Sequence, residues 1–96
     1  MYRIECDLKP TEDASKLLKS LKLLFPETNF KVSKDVIVGE SDLAFFRELS
    51  AKQESSLVIE ELETNGSVCI DKLAMSAGIV SLDDDFPLGR VRIVRE

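Results

Sequence analysis

The chain has no histidine and no tryptophan, and only two cysteines. Without histidine it lacks the side chain that ordinarily titrates near neutral pH, which removes the usual general base and the commonest metal ligand. Cys6 and Cys69 lie far apart with no second pair beside either, so neither a zinc spacing nor a disulfide framework is present. Both are expected to be buried as small hydrophobes. All four glycines are isolated, which excludes a loop that cradles phosphate. No apolar run approaches the length of a membrane span, and the first residues alternate instead of forming a basic-then-apolar leader. These features predict a soluble, cytoplasmic protein with no membrane partner. No nucleophile, base and orienting group can be assembled, so neither an enzyme nor a bound cofactor is expected.

What is present is a clear change of period. Tyr2, Ile4, Cys6 and Leu8 alternate with Arg3, Glu5, Asp7 and Lys9, the pattern of a strand over residues 2 to 9 with one wet face. After Pro10 the spacing becomes three and four. Thr11 is the predicted N-cap, with Glu12 and Asp13 in the first turn, where the helix dipole favours carboxylates. Ala14, Leu17, Leu18, Leu21, Leu24 and Phe25 then make one apolar stripe, which Pro26 ends.

A short hairpin follows, with Phe30 and Val32 on one arm, the turn Ser33-Lys34-Asp35, and Val36-Ile37-Val38 on the other. Ser41 is the predicted cap of a second helix whose face gathers Leu43, Phe46, Leu49 and Leu57, with Gln53 in its middle. Past Ser55-Ser56 the apolar residues Val58, Ile59 and Leu62 fall on the opposite side, so this helix kinks, restarts in a new phase, or buries two faces. Asn65-Gly66 ends it. Strands are then predicted at Val68–Ile70, at Ile79 to Leu82 and around Val91 and Ile93, with a loop through Asp83-Asp84-Asp85-Phe86-Pro87. The order β-α-β-β-α-β-β-β in 96 residues predicts a single domain over 1-96. Its class is α+β, a mostly antiparallel sheet with two helices packed on one face.

Net charge is −5, but it is unevenly distributed. Residues 1 to 52 carry nine basic and nine acidic side chains; residues 53 to 85 carry Lys72 against eight acids; the tail carries three arginines and one acid. Lys16, Lys19 and Lys22 fall on the side of the first helix away from the leucines, as a row that tracks phosphates requires. Amphipathic helices also carry lysines there simply to stay solvated. Arg90 and Arg92 share one face of the last strand and extend that basic surface if the fold brings them alongside. Asp83, Asp84 and Asp85 lack the ligand alternation and glycine of a calcium loop, so no metal site is expected. Gln53 is expected to hydrogen-bond loop backbone from within the core. The out-of-phase Val58, Ile59 and Leu62 are a candidate interface for a second copy or another protein.

The words Leu8-Lys9-Pro10-Thr11-Glu12-Asp13, Leu24-Phe25-Pro26, Val38-Gly39, Phe46-Arg47-Glu48-Leu49 with Gln53, and Phe86-Pro87-Leu88-Gly89-Arg90-Val91 span nearly the whole chain. Together they resemble a family of small uncharacterised archaeal proteins. That family is similar in fold to a ribosomal protein that binds five-S RNA, and carries a predicted RNA-binding label on grounds likened to the double-stranded-RNA-binding domain. The resemblance implies the α+β fold and structured RNA as a partner. The chain departs from the family where Glu54, Glu60, Glu61 and Glu63 replace a more basic stretch, and where Asp71-Lys72-Leu73-Ala74 stands for an amide-rich turn.

The leading expectation is therefore an RNA-binding domain that contacts phosphates through Lys16, Lys19, Lys22, Arg90 and Arg92, without base readout. The alternative is a protein-interaction or self-association module.

Overall fold

The computed structural model describes residues 1–82 and 90–96, with Arg90 described by its backbone alone. The chain runs β1 (Tyr2–Asp7), α1 (Ala14–Leu24), β2 (Phe30–Val32), β3 (Val36–Ser41), α2 (Ala44–Lys52), α3 (Ser56–Asn65), β4 (Ser67–Asp71), α4 (Lys72–Ser76) and β5 (Arg90–Arg95). The strands form one antiparallel sheet in the order β2-β3-β1-β5-β4. This is the predicted α+β architecture, with the first and last strands of the chain side by side at its centre.

Register explains why the helices occupy one face. Ile4 lies opposite Gly39 and Ile93, Cys6 opposite Ile37 and Val91, and Val68 and Ile70 opposite Ile93 and Val91. Directly opposed residues point to the same side of a sheet. All these side chains are buried, together with Leu21, Leu24, Phe25, Phe46, Val58, Leu62 and Met75 from the helices and turns above them. Phe25 stacks on Phe46 with ring centres 5.1 Å apart and meets Phe30 edge-on at 6.4 Å. The approach is close enough that a Cβ on Gly39 would lie 2.6 Å from Phe30 Cδ1, so only glycine fits at that point of β3.

Three local expectations are corrected, and the course of the second helix, left open by the sequence, is a restart in a new phase. Asp13, not Thr11, caps α1, accepting from the Ser15 N–H at 2.9 Å, because Glu12 is drawn into a turn with Lys9 whose two N–H groups bond across at 2.9 Å each. Ser41 does not cap α2 directly: its Oγ accepts from the Leu43 N–H at 2.9 Å, and Leu43, at φ 63°, is the cap residue. The long second helix is two. Glu54 takes φ 56°, the Ser55 N–H bonds the Ser50 carbonyl at 2.8 Å, and α3 restarts in a new phase. That restart sends Val58 (2% exposed) and Leu62 (0%) into the core and turns Leu57 (57%) outward. Finally, Ile79 to Leu82 is not a strand. It makes one bridge, Leu82 to Ile70, and the Asp71 N–H bonds the Ser81 carbonyl at 2.8 Å.

Gln53 holds that return segment in place. Its Nε2 donates to the Gly78 carbonyl at 2.8 Å and its Oε1 accepts from the Val80 N–H at 2.7 Å, the loop-backbone role expected of it. The Ser55 hydroxyl adds a bond to the Val80 carbonyl at 3.0 Å. The Gly78 carbonyl and both Val80 backbone groups are thereby paired by side chains in place of a neighbouring strand, while the Gly78 and Ile79 N–H groups bond back to the Met75 and Ala74 carbonyls.

Candidate nucleic-acid interface

α1 is built to turn lysines outward. Its 11 residues, Ala14 to Leu24, contain three lysines and no carboxylate. Leu21 and Leu24 are wholly buried beneath it, Leu17 and Leu18 pack against the core, and Lys16, Lys19 and Lys22 are exposed on the far side. Six residues at about 1.5 Å each place Lys22 about 9 Å along the axis from Lys16, with each lysine turned by about 60° from the last. None of the three joins an ion pair among the described residues; the pairs there are Arg3–Glu5 at 3.4 Å, Arg47–Glu63 at 2.8 Å and Lys72–Glu12 at 2.7 Å.

Arg92 does not extend this row. Its strand neighbours Val91 and Ile93 are buried under the helices, so Arg92 projects from the opposite face of the sheet, which is helix-free among the described residues. There it is flanked by Glu5 of β1 and Cys69 of β4. The Arg90 backbone, on the same strand as Arg92, pairs with Asp71 of β4; its side chain, like Asp83, Asp84 and Asp85, lies outside the described residues. The sheet itself separates the α1 ammonium groups from the Arg92 guanidinium, and the single basic surface expected from the sequence becomes two.

The helix-free face is mixed in sign. Arg3 lies opposite Glu40, and Glu5 opposite Arg92, so unlike charges face each other across strands. Glu5, Asp7, Ser67, Cys69 and Arg92 line a shallow open depression of about 450 Å³. Cys69 is part-exposed here, contrary to the expectation that both thiols are buried. Cys6 is buried as expected, and burial pushes its thiol up to about 11, against the opposing pull of the Lys72 charge. A thiol so raised is no nucleophile at neutral pH. Among the described residues no three of His, Cys, Asp and Glu cluster as metal ligands do, and no helix there is long and apolar enough to cross a membrane.

The proposed hydrophobic interface loses its surface, since Val58 and Leu62 are core and Ile59 packs against them. Sequence reasoning also missed three groups. Lys72 is buried, and its Nζ donates to the Asp7 carbonyl at 2.6 Å and to Glu12 Oε1 at 2.7 Å. It is the first residue of α4, a helix too short to show a period but announced by Asp71, which caps it by accepting from the Leu73 N–H at 2.9 Å. Arg47 donates to the Tyr2 hydroxyl at 2.9 Å and to Glu63 at 2.8 Å while lying 5.7 Å from the Tyr2 ring centre. Phe45, beside the buried Phe46, is exposed.

Comparison with known proteins fits this geometry at the level of fold. The chain is similar to an uncharacterized UPF0201 protein (TM-score 0.81, 20% identity, covering 99% of this chain and 82% of that one). It is also similar to a UPF0201 protein from Methanococcus jannaschii (0.80, 22%, 98% and 86%) and to a DUF54 protein from Archaeglobus fulgidus (0.72, 23%, 98% and 82%). The chain has their fold. No family model matches it, and no curated protein does.

Proposed function

We propose that this chain is a cytoplasmic, non-enzymatic member of that uncharacterised archaeal group, and that α1 docks it on structured RNA. The observation that carries the reading is the composition and exposure of α1: three outward ammonium groups, in no ion pair among the described residues, on a helix without a carboxylate, in a chain whose net charge is −5. An acidic protein has no general attraction for a polyanion, so any RNA contact must be local, and α1 is the helix that gathers three lysines on its outer side. Lys16, Lys19 and Lys22 meet the backbone as point charges, which favours shape and phosphate recognition over base readout. Arg92, on the other side of the sheet, takes no part in this contact.

Three phosphate contacts set both affinity and salt response. Binding falls in the non-specific range, on the order of 10⁻⁴ to 10⁻⁶ M, and its logarithm drops with log salt at a slope of about −2.7 at most. Titrating a short RNA duplex by anisotropy at 50 and 200 mM salt is therefore expected to show up to a roughly 40-fold loss. Changing Lys16, Lys19 and Lys22 together to Glu abolishes the binding, whereas Arg92→Glu leaves it within about twofold. Salt-independent binding, or a larger loss from Arg92→Glu than from the α1 triple variant, overturns the proposal.

A further inference from the structure

We infer that Phe45 is a stacking platform for an unpaired nucleobase at the C-terminal end of the α1 lysine row; this rests on the RNA reading above. Phe45 is 44% exposed, while Phe25 and Phe46 are buried and Phe30 packs on them. Tyr2 is occupied by Arg47. Phe45 is thus the one aromatic ring among the described residues that presents a large open surface without a partner. It borders a narrow crevice with Pro26, Glu27 and Asp42, and Pro26 directly follows Phe25, the C-cap of α1, four residues after Lys22 in the chain. A strand whose phosphates follow Lys16, Lys19 and Lys22 runs out onto this ring.

The charges at the crevice favour a base there over a further phosphate. Glu27 and Asp42 repel an anion, whereas a neutral base gains a π-face from Phe45. Asp42 is already committed, since its Oδ1 accepts from the Ala44 N–H at 3.0 Å. The exposed Glu27 carboxylate is in no ion pair among the described residues and is acceptor-only. The base edge that offers two adjacent donors is the N1–H and N2–H₂ edge of guanine, so an unpaired guanine is the preferred occupant. Stacking on a ring held in the first turn of α2 adds selectivity for unpaired over paired RNA that lysines alone do not supply.

The test compares two hairpins of one sequence, one fully paired and one with a single bulged guanine, titrated at 50 mM salt. The wild type is expected to prefer the bulged RNA by about 5- to 160-fold, the range of a base–aromatic stack. Phe45→Ala removes the preference and leaves the paired hairpin unchanged; Phe45→Trp keeps it; Glu27→Gln narrows the margin of guanine over adenine. With 2-aminopurine in the bulge, its fluorescence falls on binding wild type and not on binding Phe45→Ala. Because Phe45 is outside the core, its variants keep the wild-type melting temperature within a few degrees. Equal binding of the two hairpins by wild type overturns the platform while leaving the lysine row standing, and loss of all RNA binding removes both. A mass that halves in light scattering on Phe45→Ala assigns the ring to a contact between two copies instead.

Discussion

The two faces of the sheet are made from the same strands yet solve different problems. On β1, Ile4 and Cys6 face the helices and are wholly buried, whereas Arg3, Glu5 and Asp7, between and beside them, face water. The covered face is uniform in chemistry and depends on packing; Phe46 above it touches ring on ring. The open face depends on opposition, with Arg3 against Glu40 and Glu5 against Arg92, each such pair worth a few tenths of a kcal/mol. A period of two therefore encodes stability on one side and solubility on the other. Charge of one sign gathers instead on the outer side of α1, with Lys16, Lys19 and Lys22.

The two thiols give the sharpest way to break that contrast. Cys6 and Cys69 lie on opposite faces, one buried and one part-exposed. A thiol reagent at pH 8 is expected to label Cys69 from the folded state. Cys6, whose thiol burial pushes up to about 11 in the folded state, reacts only through opening of the core. Unfolding free energies of about 5 kcal/mol or more make the two rates differ by on the order of 10³ or more in native buffer. In denaturant they converge. Equal native rates, read by mass spectrometry of the labelled peptides, would show that the faces are not distinct.

Neighbouring residues of β3 test the same contrast through stability. Ile37 is wholly buried and Val38 faces the open side. Ile37→Ala is expected to cost about 2–5 kcal/mol by urea denaturation, the range for emptying a packed core site. Val38→Ala is expected to cost less than about 1 kcal/mol. A reversal of that order would mean that the open face is covered in solution, which analytical ultracentrifugation would then show as a larger mass.

Much of this arrangement is legible in the sequence, for identifiable reasons. β1 and α1 follow from hydrophobic period alone, because their patterns are long and end at recognisable punctuation. The outward phase of Lys16, Lys19 and Lys22 follows from the same stripe. The break between α2 and α3 was signalled by the phase reversal at Val58, Ile59 and Leu62, but its cause is distant: Ser55 and Gln53 bond to Gly78 and Val80, more than twenty residues on. The separation of Arg92 from the lysines was legible too: Val91 and Ile93 are the apolar positions of β5 and face the helices, so the alternating Arg92 faces away from α1. Phe45 was within reach. In the Phe45-Phe46 pair the residues are turned by about 100°, and only Phe46 falls on the stripe of Leu43 and Leu49.

The smallest expected effect concerns the one ammonium group that the fold takes in from water. Lys72 is buried at the end of the sheet, bonded to the Asp7 carbonyl and to Glu12, whose side chain is still about one quarter exposed. Burial works to raise the Glu12 carboxyl, but the Lys72 hydrogen bond, the Lys9 N–H and the two ammonium charges outweigh it and hold it below the ordinary value of 4.5. A carboxyl lowered by folding contributes stability that is fully present above its unfolded value and is lost as pH falls through its folded value. Glu12→Gln is therefore expected to cost about 1 kcal/mol at pH 7, since one partner still meets water. Below pH 4.5 the difference between wild type and variant closes as the wild-type carboxyl takes up its own proton. A penalty unchanged from pH 7 to pH 3 in urea titrations would mean that Glu12 acts through its fit in the turn with Lys9. Lys72 would then be held by the Asp7 carbonyl alone, and the buried side of the sheet would owe nothing to charge.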